Sequence, residues 1–389
     1  MIKLLRSARK YAAKVGANSL TTKLTGADIK NLLAIILGTK IVILVFGFQS
    51  FLFFANRKIT GFHQFFGIWN HWDARNYLSI AEYGYVNDGS RKFEIVFFPL
   101  FPYLISAFNF LTRDAILSGF LISTVASLAL GFLLFKLVKL DFSNRIALSS
   151  VWFLFIFPTS YFLHIPYTES LFLALVVGAF YFSRKRFWLA AGTLGLFACA
   201  TRVNGLLIVL ALPFEMFSEF RETRKLNSRW LYAGLAPLGF AGYLLLNYFV
   251  TGNALTFLDV QRSNFQKYLA PPWTGLWQKL SAIYHSSETV PIFEGIFEIA
   301  FVGIGLLTIV AGWRCLRGSY RVWMIANWLL FISTSWILSV PRYTLSMFPM
   351  FIVLAVAARK RLLNVLITTL SILYLGMFII LFVQDRWAF

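Results

Sequence analysis

Residues 31–54 read NLLAIILGTKIVILVFGFQSFLFF, an apolar run long enough to cross about 30 Å of hydrocarbon as a helix. Seven basic side chains precede or open it, Lys3, Arg6, Arg9, Lys10, Lys14, Lys23 and Lys30, against a single acid, Asp28. The run is too long for a signal-peptide core and lacks a small-residue cleavage site, so it reads as a retained first span behind a basic cytoplasmic segment, residues 1–30. Comparable apolar runs follow at 97–111, 115–135, 147–163, 168–183, 188–212, 230–250, 295–313, 322–340, 343–357 and 362–383. They are continuously apolar rather than alternating, which selects helices over barrel strands. The expected fold is therefore an all-α polytopic membrane protein, one domain over residues 1–389, with eleven transmembrane helices.

Composition agrees. The chain is 59% hydrophobic and only 13% charged, about half the charge of a soluble domain. Its net charge of +20 would suggest nucleic acid in a soluble protein. Here the basic residues cluster at the ends of apolar runs, so topology and anionic headgroups account for them, with membrane lipids and not nucleic acid as partners. Cys199 and Cys315 are the only cysteines, too few for a disulfide framework or a cysteine metal site.

Sidedness follows from Arg314, Arg317 and Arg321 in one turn and Arg359, Lys360 and Arg361 in another, both read as cytoplasmic. Eleven crossings then place two long polar stretches, 55–96 and 251–294, outside. These stretches carry Trp69, Trp72, Trp273 and Trp277, as helices lying in the membrane interface do. The same parity puts Lys136, Lys139 and Arg145, and then Arg184 to Arg186, on the non-cytoplasmic side, against the usual bias. Pro158 and Pro166 interrupt the short segments between them, so re-entrant elements are expected there. Strict parity also sends Glu169 to the cytoplasmic side and Arg202 toward mid-membrane.

The first long loop holds His71-Trp72-Asp73-Ala74-Arg75-Asn76-Tyr77. On a short helix Asp73 and Tyr77 share a face, and Tyr77, Ile80 and Ala81 would lie on the bilayer with Asp73 at the interface. Such an acid serves either as a general base toward a hydroxyl or as a paired charge on an interfacial helix. Arg202, inside an apolar run, costs several kcal/mol unless paired or lining a cavity. It suits a phosphate or a structural partner such as Glu169. Arg342, directly after Pro341, suits a phosphate or interfacial snorkelling. His63, His71 and His285 lack partners at metal-ligand spacing and no Asp-x-Asp pair exists. No metal site and no required cofactor are expected, although one carboxylate with substrate phosphates would suffice for a divalent ion.

Trp72-Asp73, Tyr77, Ile80-Ala81, Gly84-Tyr85 and then Phe97-Phe98-Pro99-Leu100-Phe101-Pro102 resemble the opening of the GPI mannosyltransferase II (PIG-V) family and its bacterial relatives. Tyr167-Thr168-Glu169-Ser170-Leu171-Phe172, Thr201-Arg202-Val203-Asn204-Gly205, Pro341-Arg342-Tyr343 and Arg386-Trp387 extend the resemblance in order to the end of the chain. The resemblance implies a GT-C-type glycosyltransferase fold. It also implies a mannosyltransferase that takes its sugar from a polyprenyl-phosphate donor on the non-cytoplasmic face, with inversion, and passes it to a lipid or glycan acceptor. Asp73 is then the catalytic base, and His71, Trp72, Arg75, Tyr77, Glu169, Arg202 and Arg342 are the candidate substrate-binding residues. One departure is Arg75-Asn76, where several relatives are less charged; Arg75 is expected to pair with Asp73 or to contact phosphate. The competing reading is a transporter or flippase for a lipid-linked sugar, against which stands the lack of two repeated halves.

Overall fold

The computed structural model describes residues 24–55, 61–286 and 288–389; the basic stretch 1–23 lies outside them. Among the described residues the chain is helical, with one isolated β-bridge between Leu269 and Thr334. Helix α1 (Gly26–Ala55) starts at a reciprocal cap, in which Thr25 N–H donates to Asp28 Oδ2 and Asp28 N–H to Thr25 Oγ1, each at 3.1 Å. The first long loop folds into α2 (Phe62–Gly67), α3 (Asp73–Tyr83) and a 3₁₀ turn, Gly89–Val96. Then come α4 (Leu100–Thr112), α5 (Ala115–Lys139), α6 (Asn144–Phe155), α7 (Glu169–Arg184), α8 (Trp188–Cys199), α9 (Leu207–Thr223) and α10 (Ala236–Thr251). The second long loop holds α11 (Thr256–Phe265) and α12 (Pro272–His285). The bundle closes with α13 (Thr289–Gly312), α14 (Gly318–Ile332), the short α15 (Val340–Tyr343), α16 (Pro349–Ala357) and α17 (Arg361–Val383).

Six helical stretches are long and apolar enough to cross a membrane, and up to eight if two sharply bent pairs each count as one span. The protein is an integral, multi-pass membrane protein. Ion pairs mark one end of the bundle. Asp28 accepts from Asn144 at 2.8 Å and meets Lys139 at 3.7 Å. Arg184 grips Asp141 through both terminal nitrogens, and Arg317 holds Glu215 at 3.1 Å. Arg186 pairs with Glu222 at 2.9 Å. The opposite end carries Asp73, Glu169, Arg202 and Arg342.

Two expected spans are corrected. The run 97–111 is not a crossing: α4 has only 13 residues, about 20 Å, and bends 114° from the preceding 3₁₀ turn. Both its ends stay at the Asp73 end. Leu100 N–H donates to the Ala200 carbonyl at 3.1 Å, and Asp114, after its last turn, meets His63 of α2 at 2.9 Å. Pro99 and Pro102 set the entry, and the Asp114 side chain caps α5 by accepting from Leu117 N–H at 3.0 Å.

The run 188–212, in turn, is two helices, not one. The chain leaves α8 at Ala200, passes Arg202 in extended backbone (φ −157°, ψ 150°) and re-enters helix through a 3₁₀ turn at Val203–Leu206. A guanidinium in an apolar run forces this break, because it reaches a carboxylate only by leaving the helix axis. At Gly205 a Cβ would sit 2.5 Å from Cys199 N, so only glycine lets the chain double back so tightly.

The two corrections change the path between the ends. Lys136 and Lys139 with Arg145, and Arg184 to Arg186, fall at the ion-paired end with the other basic turns, and Glu169 arrives beside Asp73 instead of across the membrane from it. The face of α3 carrying Tyr77, Ile80 and Ala81 is buried against protein and not against bilayer. Tyr77 packs edge-on to Phe97 and Phe101, at 5.3 and 5.4 Å between ring centres.

Candidate active site

Three breaks in helical structure deliver the charged groups to one place. Asp73 opens α3 behind Trp72, whose backbone (φ 52°, ψ −121°) makes a sharp, strained entry. Glu169 opens α7, and Arg342 sits in the single turn α15, entered through Ser339 at φ 64°. That turn is held by Glu298 of α13, fully buried, whose two oxygens accept the Ser339 and Val340 N–H groups at 2.6 and 2.8 Å. Thr159 adds a bond to the Pro341 carbonyl at 3.0 Å.

Arg342 is the centre of the cluster. Its Nε donates to Glu169 Oε1 at 2.5 Å and its Nη1 to Asp73 Oδ2 at 2.7 Å. Its guanidinium lies 4.7 Å from the ring centres of both Phe162 and Tyr167, a packing that suits a planar cation. Arg202 Nη1 also donates to Glu169 Oε1, and to Thr168 Oγ1 at 3.0 Å. Two carboxylates and two guanidiniums therefore compensate one another, the arrangement that buried charge requires. Asp73 is the open member: its side chain is 32% exposed, against 3% for Glu169 and 6% for Arg342. Asp73 Oδ1 has no hydrogen-bond partner among the described residues, which leaves it available to a substrate hydroxyl.

The other expected site residues divide. His71 lies behind Asp73; its carbonyl accepts from Tyr167 Oη at 2.8 Å and its Nδ1 meets Asp385 at 2.9 Å. Burial pushes the His71 imidazole below its usual value, Asp385 opposes that shift and Arg75 adds to it. Trp72 projects toward Trp387, edge-on at 5.0 Å. Together with Phe162, Tyr167, Phe382 and the last residues of the chain they leave a pocket of about 10 Å³ beside Arg342. That is room for about one water. Tyr77 is buried below the cluster, its phenol pushed up first by burial and then by the Asp73 charge.

Arg75 is not a partner of Asp73. It pairs with Asp385 at 3.1 Å on the opposite side of α3, where residues 75, 78, 79 and 82 form a separate helical face. That face lines a wide cleft of about 520 Å³ together with His63, Asn109, Arg113 and Asp114. The cleft is larger than the pocket at Arg342, but its charged groups form separate pairs, His63 with Asp114 and Arg75 with Asp385, whereas Asp73, Glu169, Arg202 and Arg342 meet in one network, which makes the ion cluster the candidate site.

Glu298 and Asp385 escape a reading of the sequence. An acid in the apolar run of α13 is a signal in itself, since such a group demands a partner. Asp385 has no local signal, because its partners lie more than 300 positions away. Among the described residues no three His, Cys, Asp or Glu side chains converge as metal ligands.

No family model and no curated protein matches the sequence. Among solved structures, the chain is similar to the crystal structure of ArnT from Cupriavidus metallidurans bound to undecaprenyl phosphate, with a TM-score of 0.53 at 16% identity. The match covers 85% of this chain and 60% of that one, so this chain spans less than two thirds of the ArnT length. The likeness is one of fold: the helical bundle described above is shared with that ArnT structure.

Proposed function

We propose that this protein is a membrane glycosyltransferase that takes a sugar from a polyprenyl-phosphate donor and passes it to a hydroxyl of a lipid or glycan acceptor. The observation that carries the reading is the Asp73–Arg342–Glu169–Arg202 cluster, with one carboxylate open, built on a fold that ArnT shares. Undecaprenyl phosphate in the ArnT crystal supports a donor of that chemistry, and the ordered resemblance to the PIG-V family supports mannose as the sugar.

Asp73 acts as general base. Its carboxylate takes the proton from the acceptor hydroxyl while that oxygen bonds to the anomeric carbon from the face opposite the phosphate. The carbon–oxygen bond to phosphate breaks and its electron pair leaves on polyprenyl phosphate, which inverts the anomeric configuration. Arg342 holds the carboxylate in place, and Glu169 in turn holds Arg342.

The site lies on the non-cytoplasmic face. The basic turns at 136–145, 184–186, 221–229, 314–321 and 359–361 gather at the opposite end of the bundle, where the positive-inside bias puts them in the cytoplasm. Eleven crossings satisfy this arrangement once α4 is removed from the count and α8 and α9 are counted separately. Transfer of radiolabelled mannose from polyprenyl-phosphate-mannose to an acceptor by the purified protein tests the reading; binding of the donor with no transfer to any acceptor favours a transporter instead.

A further inference from the structure

The ion cluster carries no spare charge. Arg342 spends Nε and Nη1 on Glu169 and Asp73, Arg202 spends Nη1 on Glu169 and Thr168, and two positive groups face two negative ones. Such a set orients a base, yet its net charge offers a leaving phosphate little attraction. A transferase of the kind proposed above needs a further cation close by, and one lies next to the cluster.

Lys267, in the loop between α11 and α12, places its Nζ 5.4 Å from the ring centre of Tyr343 and 5.8 Å from that of Trp336. Tyr343 follows Arg342 directly, and its ring also carries the Arg202 guanidinium at 5.6 Å. Lys267 forms no ion pair among the described residues. Its loop is fastened to the strand-like segment that leads to Arg342. Ala270 N–H donates to Ser333 O at 3.1 Å, Ser335 N–H to Tyr268 O at 2.9 Å and Trp336 Nε1 to Phe265 O at 3.0 Å. Gln266, at φ 51°, turns the chain into this clasp and its carbonyl accepts from Ser335 Oγ at 2.9 Å. Lys267 feels the Glu298 carboxylate at a distance but pairs with no acid, and an ammonium held on two aromatic rings is positioned without being satisfied, since the rings attract its charge but accept none of its three N–H bonds as an anion would.

We propose that Lys267 binds the phosphate of the polyprenyl-phosphate carrier, with Tyr343, whose ring also packs against Arg202, as its platform. The inference rests on the transferase reading for its ligand and deepens it by naming the phosphate-binding cation. The charges of Arg342 and Arg202 already face Glu169 and Asp73. In the step proposed above, the electron pair leaving the anomeric carbon ends on the phosphate oxygen, and Lys267 stabilises the charge that develops there by donating from Nζ.

The test is equilibrium binding to the full chain in detergent, without acceptor, using undecaprenyl phosphate, its neutral alcohol undecaprenol, and inorganic phosphate as probes. Lys267→Ala and Lys267→Gln should each weaken undecaprenyl phosphate binding about tenfold or more, Lys267→Arg should stay within about threefold of the parent, and undecaprenol should bind all four proteins alike. Two variants of different size guard against a local packing defect, which would weaken the alcohol as well and would overturn the assignment. Parent-like binding of undecaprenyl phosphate by both neutral variants would overturn it too. If inorganic phosphate displaces the lipid at equal concentration, the site serves a free anion and the carrier assignment fails. The measurement needs no turnover, so a Lys267-dependent Kd in a protein that transfers no sugar would keep this site and sink the transferase reading, while transfer with unchanged donor KM in Lys267→Ala would do the reverse.

Discussion

Arg342 and Asp73, 269 positions apart in the chain, meet through a 2.7 Å hydrogen bond from Nη1 to Oδ2. The bond joins a turn in the last quarter of the chain to the first long loop, and Glu169 braces it from behind.

Removing the guanidinium strands two carboxylates. Arg342→Ala should destabilise the detergent-solubilised protein by about 3–5 kcal/mol, and turnover should fall along with stability. Arg342→Lys, which keeps one charge but cannot bridge both acids, should recover only part of each. Thermal unfolding followed by intrinsic fluorescence measures the first, labelled-sugar transfer the second; wild-type stability in Arg342→Ala would show that the cluster is not cohesive.

Glu298 acts on the site through α15. Glu298→Gln replaces one of two oxygens that accept the Ser339 and Val340 N–H groups by a donor, leaving a buried N–H unmatched at a cost of about 1–3 kcal/mol. Its effect should appear as a lower kcat together with weaker undecaprenyl phosphate binding, because the turn carries both Arg342 and Tyr343, the ring on which Lys267 rests. An unchanged kcat would mean that the turn holds its shape unaided.

His71 gives a pH signature. Its imidazole is held below its ordinary value by burial, with Asp385 opposing and Arg75 assisting. On acidification the unfolded chain therefore takes up the His71 proton before the folded protein does, so stability falls as pH drops below about 6.5. Above that pH both states are neutral at this residue and it contributes nothing. His71→Gln should flatten this acid-side decline in unfolding temperature between about pH 7 and 5; an identical profile in the variant would contradict the shift.

The path of α4 is testable by labelling. With Cys199 and Cys315 replaced by alanine, a cysteine at Arg113 should react with a membrane-impermeant reagent from the same side as one at Asn87, and one at Lys185 only from the other side. A full crossing by residues 97–111 would separate Arg113 from Asn87.

What the sequence discloses here depends on how local each signal is. The membrane class is written in continuous apolar runs such as 31–54, and Asp73 stands out because Trp72, Arg75 and Tyr77 surround it within one helical turn. The break at Arg202 is less visible: apolar residues on both sides let 188–212 pass for one helix, and only the polar Thr201, Arg202 and Asn204 with Gly205 mark the turn. The run 97–111 errs in the opposite direction, since its apolar residues face α3 and α5 and its 13-residue helix is too short to cross. Counting 97–111 as a crossing moves every later segment up to 188–212 to the other side, which is why strict parity sends Glu169 to the wrong end. The pairing of Asp385 with His71 and Arg75 depends on tertiary contact alone.

The central claim is that Asp73 accepts the acceptor's proton, and its most direct test is the turnover of Asp73→Asn in labelled-sugar transfer from polyprenyl-phosphate-mannose. The amide keeps the shape but cannot take that proton, so kcat should fall by about 10² to 10⁴, with undecaprenyl phosphate still bound and with the exposed Asp88→Asn near wild type. A correctly folded Asp73→Asn protein that retains more than about a tenth of the parent turnover would contradict the assignment.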